Sequence, residues 1–74
     1  MTLDRLNIGK EAVIRAVGGE NSLRCRLLDM GLTPGTKILV HKAAPLGDPI
    51  ELFLRGYALS IRLEDARKIE VEAV

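Results

Sequence analysis

Ser22-Leu23-Arg24-Cys25-Arg26-Leu27-Leu28-Asp29-Met30-Gly31-Leu32-Thr33-Pro34-Gly35-Thr36 is where the chain changes its period. Leu23, Leu27 and Met30 recur at i, i+4 and i+7, the apolar stripe of one helix face. Asn21 or Ser22 is suited to the N-cap. Gly31 fits the left-handed residue that ends a helix, and Leu32 the apolar residue that packs back on the last turn. Pro34 bars the helix from resuming, and Thr33-Pro34-Gly35-Thr36 reads as a type II turn, with Pro at i+1 and Gly at i+2. One short helix is therefore expected over about residues 22–30.

On either side of it the period is two. Glu11 to Val17 is β-rich, with Ala12, Ile14 and Ala16 expected on one face and Val13, Arg15 and Val17 on the other. Thr36 to Ala43 alternates with Ile38 and Val40 inward and Lys37 and His41 outward. Ile50, Leu52 and Leu54 share a face against Glu51, Phe53 and Arg55, and Gly56 permits a tight reversal into Tyr57 to Arg62, where Leu59 and Ile61 align. Glu64-Asp65-Ala66-Arg67 reads as a helical turn, and Ile69 and Val71 alternate with Lys68, Glu70 and Glu72 in a last strand. Five strands this short predict a mainly β, small closed or half-closed barrel, with the helix inserted after the first strand.

The composition agrees and narrows the function. Seventy-four residues make one domain, 1–74, with no linker or repeat. Eleven Lys+Arg against ten Asp+Glu leave a net charge of +1, too little for a sequence-independent grip on phosphates. Phe53 and Tyr57 are the only Phe or Tyr residues and Trp is absent, so neither a base-stacking platform nor an aromatic groove for Pro-rich peptides can be built. No nucleic-acid partner is expected. The single Cys25 makes no internal disulfide and favours a reducing compartment. No apolar run approaches the ~18 residues of a membrane span, and Met1-Thr2-Leu3-Asp4 has no signal-peptide character.

Catalysis finds no constellation. His41 is the lone histidine, on an outward strand face, and Cys25 is expected partly buried within the helix. Glu64 and Asp65 are adjacent and read as solvated. Gly31-Leu32-Thr33-Pro34-Gly35-Thr36-Lys37 resembles a phosphate loop but misses its count by one position. His41, Asp48, Glu51 and Cys25 are the plausible metal ligands, without a ligand spacing. What stands out instead is the helix end and the segment Ala43-Ala44-Pro45-Leu46-Gly47-Asp48-Pro49. Its two prolines stiffen it, Leu46 is placed at its tip, and Asp48 suits an Asx-type turn. Arg26, Asp29 and Met30 are expected to flank a cleft between helix and sheet.

These segments together resemble the FeoA family. Arg26-Leu27-Leu28-Asp29-Met30-Gly31-Leu32-Thr33-Pro34-Gly35-Thr36 is similar to its first signature, and Ala44-Pro45-Leu46-Gly47-Asp48-Pro49-Ile50 to its second. Gly56-Tyr57-Ala58-Leu59-Ser60-Ile61-Arg62, Ala66 and Ile69-Glu70-Val71 resemble its C-terminal third, and Leu3-Asp4-Arg5-Leu6, Gly9 and Ala12 its opening. Ile61 stands where many relatives have Leu. The resemblance implies an SH3-like five-stranded β-barrel, a cytoplasmic location in a bacterium or archaeon, and a non-enzymatic role in ferrous-iron uptake. The implied partner is the FeoB membrane transporter, contacted at its cytoplasmic G-domain. The implied contact residues are Arg26, Asp29, Met30, Leu32, Pro45, Leu46 and Asp48. An alternative reading is a transition-metal-binding or metal-sensing module, because related domains form the C-terminal SH3-like module of iron-dependent repressors. No cofactor is assigned, and weak Fe(II) or Zn(II) binding has no residues attached to it. A weak homo-oligomer stays open, although Lys68, Glu70 and Glu72 discourage pairing at the last strand's edge.

Overall fold

The period-2 segments pair into one antiparallel sheet in a computed structural model that describes residues 1–74. The strands are β1 (Glu11–Val17), β2 (Lys37–Ala43), β3 (Ile50–Leu54), β4 (Tyr57–Ile61) and β5 (Ile69–Ala73), in the order β4-β3-β2-β1-β5. Helix α1 (Asn21–Asp29) follows β1, and the one-turn helix α2 (Leu63–Ala66) precedes β5. A 3-10 turn at Leu3–Arg5 opens the chain and buries Leu3. The expected inward residues Ile38, Val40, Ile50, Leu52, Leu54, Ile61, Ile69 and Val71 are all buried, with Leu27 and Leu32, in one aliphatic cluster. No aromatic ring enters it.

The β3–β4 hairpin shows how local chemistry sets register. Arg55 and Gly56 both have positive φ, 49° and 83°, the two central positions of a type I′ turn, whose twist matches that of the flanking strands. Leu54 then lies opposite Tyr57, and the ladder runs without a shift to Ile50 opposite Ile61. Phe53 is carried outward, where its ring stacks on that of His41 at 4.3 Å between centroids.

Three local expectations are corrected. In β1, Ala16 is exposed and Val17 buried, because the pairing with β5 slips between Ile14 and Ala16. Ile14 there bonds the turn at Gly35 and Thr36, and the bulge at Arg15 swings Val17 inward. Helix α1 spans Asn21–Asp29 with Glu20 as N-cap, not Asn21 or Ser22, and no side chain caps it. The Leu23–Leu27–Met30 stripe does face the core, but Cys25 lies on the exposed side of the helix.

The end of α1 follows the expected pattern closely. The Leu32 amide donates to the Leu27 carbonyl at 3.1 Å and the Gly31 amide to that of Leu28 at 3.0 Å. Gly31 has φ +97°. This is the Schellman arrangement. The left-handed turn folds Leu32 into the core, where it is fully buried. The next turn, Thr33 to Thr36, closes with a 3.1 Å bond from the Thr36 amide to the Thr33 carbonyl. Across from it the Tyr57 hydroxyl donates to the carbonyl of Met30, binding the helix end to β4. A Cβ on Gly31 would stand 2.6 Å from that hydroxyl oxygen.

Gly31 is thus required twice, by its dihedral and by Tyr57. Gly31→Ala is expected to cost about 1–2 kcal/mol for the left-handed backbone alone, plus a steric share. In a Tyr57→Phe background the steric share disappears and the dihedral cost remains, so the two effects are not additive. Urea unfolding midpoints of the two single variants and the double variant at constant m measure this.

Candidate functional site

Between β2 and β3 the chain makes a closed, stiff loop. The Gly47 amide donates to the Ala44 carbonyl at 2.7 Å and the Ala44 amide to the Pro49 carbonyl at 2.9 Å. Pro45 occupies the second position of the four-residue turn Ala44 to Gly47, where its fixed φ is already suitable. Leu46 at the third position projects into solvent and is 96% exposed. The Asp48–Pro49 peptide bond is cis. Asp48 does not make the expected Asx-type turn. Its Oδ1 accepts from the Leu63 amide at 3.1 Å, so it ties the loop to the first residue of α2.

The second feature is an open cleft of about 540 Å³, with Arg26 and Met30 of α1 on one wall. Ser60 and Ile61 of β4 line it too, and Arg62, Glu64 and Asp65 complete it. The Arg26 guanidinium reaches across to Asp65 at 3.4 Å. That pair is mostly solvent-exposed on the arginine side and adds at most about 1 kcal/mol. A smaller depression of about 260 Å³ lies under the loop, lined by Lys42, Ala43, Ala44, Pro45, Pro49, Glu51 and Ser60. Ser60 borders both depressions, so the helix end and the stiff loop flank the same strand.

The structure therefore sorts the expected contact residues. Arg26 and Met30 line the cleft, and Pro45 lines the loop depression. Leu46 is the exposed knob, and Asp29 is exposed beyond the cleft lining. Asp48 is exposed but serves the loop's attachment. Leu32 must be removed from the set: as the residue after Gly31 it is fully buried and presents nothing to a partner. Arg62, Glu64 and Asp65 were not foreseen, because adjacent charges after a strand look like a solvated face. Tyr57 was not foreseen either, and its hydroxyl reach follows only from the hairpin register.

His41, Cys25, Asp48 and Glu51 do not converge, and no three His, Cys, Asp or Glu side chains gather at metal-binding distance. No helix is long and apolar enough to cross a membrane. No buried side-chain nitrogen or oxygen lacks a hydrogen-bond partner. Thr33 and Thr36 hydroxyls lie 2.9 Å apart, and the Arg55 guanidinium donates to each at 2.9 Å.

A five-stranded antiparallel barrel with one helix after its first strand, an open cleft and a stiff apolar loop defines a small SH3-like domain. The family model of the FeoA domain matches residues 1–73. The Fe(2+) transport protein A/Fe(2+) transporter FeoB fusion protein of Porphyromonas gingivalis is 45% identical over all 74 residues, and the chain spans only 9% of that protein's length. Among solved structures, the FeoA-like protein from Clostridium acetobutylicum superposes with TM-score 0.93 at 38% identity, over 100% of this chain and 86% of that one. The zinc complex of Stenotrophomonas maltophilia FeoA, described as a procaryotic SH3 domain protein, superposes with TM-score 0.84 over 97% of this chain and 89% of that one. At 22% identity it shares the fold. The chain belongs to the FeoA family.

Because Asp48 supplies an acceptor to an otherwise free helix N–H, Asp48→Ala is expected to cost about 0.5–2 kcal/mol, as loss of a cap does, whereas Asp48→Asn keeps most of it. Amide exchange at Leu63 checks the assignment: it accelerates in the Ala variant and stays slow in the Asn variant.

Proposed function

We propose that this domain is an accessory of the Feo ferrous-iron uptake system, acting in the cytoplasm by protein–protein contact on the FeoB transporter and its cytoplasmic G-domain. The carrying observation is the 45% identical relative, in which Fe(2+) transport protein A and the transporter FeoB are fused in one chain. Fusion holds two modules at high effective concentration, which supports contact between their separate counterparts. The domain's own features suit protein contact: its most exposed large apolar side chain is Leu46, on a braced loop.

The proposed contact surface joins Arg26, Asp29 and Met30 at the end of α1 with Pro45 and Leu46 of the loop. Met30, Pro45 and Leu46 are uncharged, and Arg26 and Asp29 bring one charge of each sign, a composition suited to apolar anchors with a polar rim. Docking biases the transporter between two states only by the difference in its affinity for them. A nucleotide-dependent contact is therefore the signature of regulation, and a nucleotide-independent one that of a scaffold.

The test is an NMR titration of the labelled domain with the transporter's cytoplasmic G-domain, with and without guanine nucleotide. Perturbed amides are expected around Arg26 to Met30 and Pro45 to Gly47. Leu46→Glu and Asp29→Arg are each expected to keep the fold and weaken binding roughly tenfold or more, as loss of an interface anchor does. Folded variants with unchanged affinity remove this surface from the model.

A further inference from the structure

The two edges of the sheet are treated differently. Outside β5 the N-terminal segment closes the edge: the Val71 amide donates to the Met1 carbonyl at 2.8 Å, and Thr2 bridges to Glu70. Lys68, Glu70 and Glu72 add charge there. Outside β4 no strand and no backbone hydrogen bond closes it. The type I′ hairpin makes Leu54/Tyr57, Leu52/Leu59 and Ile50/Ile61 the hydrogen-bonded pairs of the β3–β4 ladder. The amides and carbonyls of Ala58 and Ser60 therefore point away from β3, and no other backbone bond reaches them. Tyr57-Ala58-Leu59-Ser60-Ile61 carries no charge, no proline and no bulge, the usual protections of an edge strand.

The strand is also a palindrome in size. Large residues at Tyr57, Leu59 and Ile61 alternate with small, exposed Ala58 and Ser60. A two-fold interface needs this kind of self-complementarity, since each residue meets its mirror position. Antiparallel pairing about Leu59 sets Ala58 opposite Ser60 of the second copy, Tyr57 opposite Ile61, and Arg62 opposite Gly56. No like charges face each other. The cleft of about 540 Å³ borders this edge at Ser60 and Ile61.

We propose that β4 is a self-pairing edge: two copies of this chain associate through antiparallel β4–β4 addition centred on Leu59. Two pairs of residues exchange about four backbone hydrogen bonds across a spacing of ~4.8 Å. An interface this narrow falls at the weak end of specific contacts, with a Kd on the order of 0.1–1 mM. The inference concerns the free chain and does not depend on the transporter reading.

Sedimentation velocity and ¹⁵N spectra of the full chain, diluted from about 1 mM to about 20 μM across the expected Kd, test it. The expected result is a concentration-dependent sedimentation coefficient, with shifts concentrated at the Ala58 and Ser60 amides. Ser60→Pro removes an outward N–H that the β3 ladder does not use, and is expected to abolish association with the spectrum otherwise intact. The double variant A58K/S60K places like charges opposite each other and is expected to be monomeric even if the proline variant folds poorly. A58K/S60E places opposite charges there and is expected to associate at least as well as the parent. A parent that stays monomeric at about 1 mM, association that survives A58K/S60K, or an A58K/S60E variant as monomeric as A58K/S60K overturns the proposal.

Discussion

The turn that ends α1 is the constraint on which the rest of the molecule depends. A nine-residue helix is shorter than the roughly 12–15 residues at which isolated helices become even marginal in water. It needs tertiary anchoring, and most of that comes at its C-terminal end. Gly31 turns left-handed, Leu32 drops into the core, and the Tyr57 hydroxyl donates to the carbonyl of the C-cap residue Met30. Leu23, half-buried, and the Arg24 guanidinium, 3.0 Å from the Val17 carbonyl, hold the other end to β1. With these fastened, Arg26 and Met30 face β4 and α2, and the cleft exists.

Much of this was legible in the sequence because the signals are local and agree with one another. Period-two alternation placed β2 and β3, Pro34 and Gly35 placed the turn, and Gly31 with Leu32 placed the helix end. The misses occur where local signals are degenerate. Ala16 and Val17 are both apolar, so alternation alone cannot say which turns inward; the bulge at Arg15 decides it through a bond to a distant turn. Glu20, Asn21 and Ser22 are three polar residues in a row, and each is able to begin a helix. An apolar residue such as Leu32 serves a contact surface and a core equally well on paper. Only the hydrogen bond from its amide to Leu27 decides between them.

The candidate site was half legible for a related reason. Pro45 and Leu46 lie within one short motif whose stiffness is a property of its own residues. The cleft is assembled from α1, β4 and α2, and its far wall, Arg62, Glu64 and Asp65, has no apolar pattern to mark it. Asp48 illustrates the same limit. Its acceptor is spent on an amide fifteen residues away rather than on its own loop, and turn chemistry alone does not foresee that partner.

Arg55 locks the β3–β4 hairpin to the turn that follows α1. It takes a left-handed conformation, φ 49°, at a position where Asn or Gly is the usual occupant. The penalty of about 1–2 kcal/mol is offset by hydrogen bonds to Thr33 and Thr36, both 2.9 Å, each contributing about 0.5–1.5 kcal/mol. Those threonines are the ends of the turn that follows α1. The β3–β4 hairpin thus holds the helix end by Tyr57 on one side of Gly31 and the next turn by Arg55 on the other. A partner that engages the cleft meets groups already in position and loses little affinity to ordering them. The same hairpin, paired without a register shift, keeps the outward amides and carbonyls of Ala58 and Ser60 in line along the edge of β4.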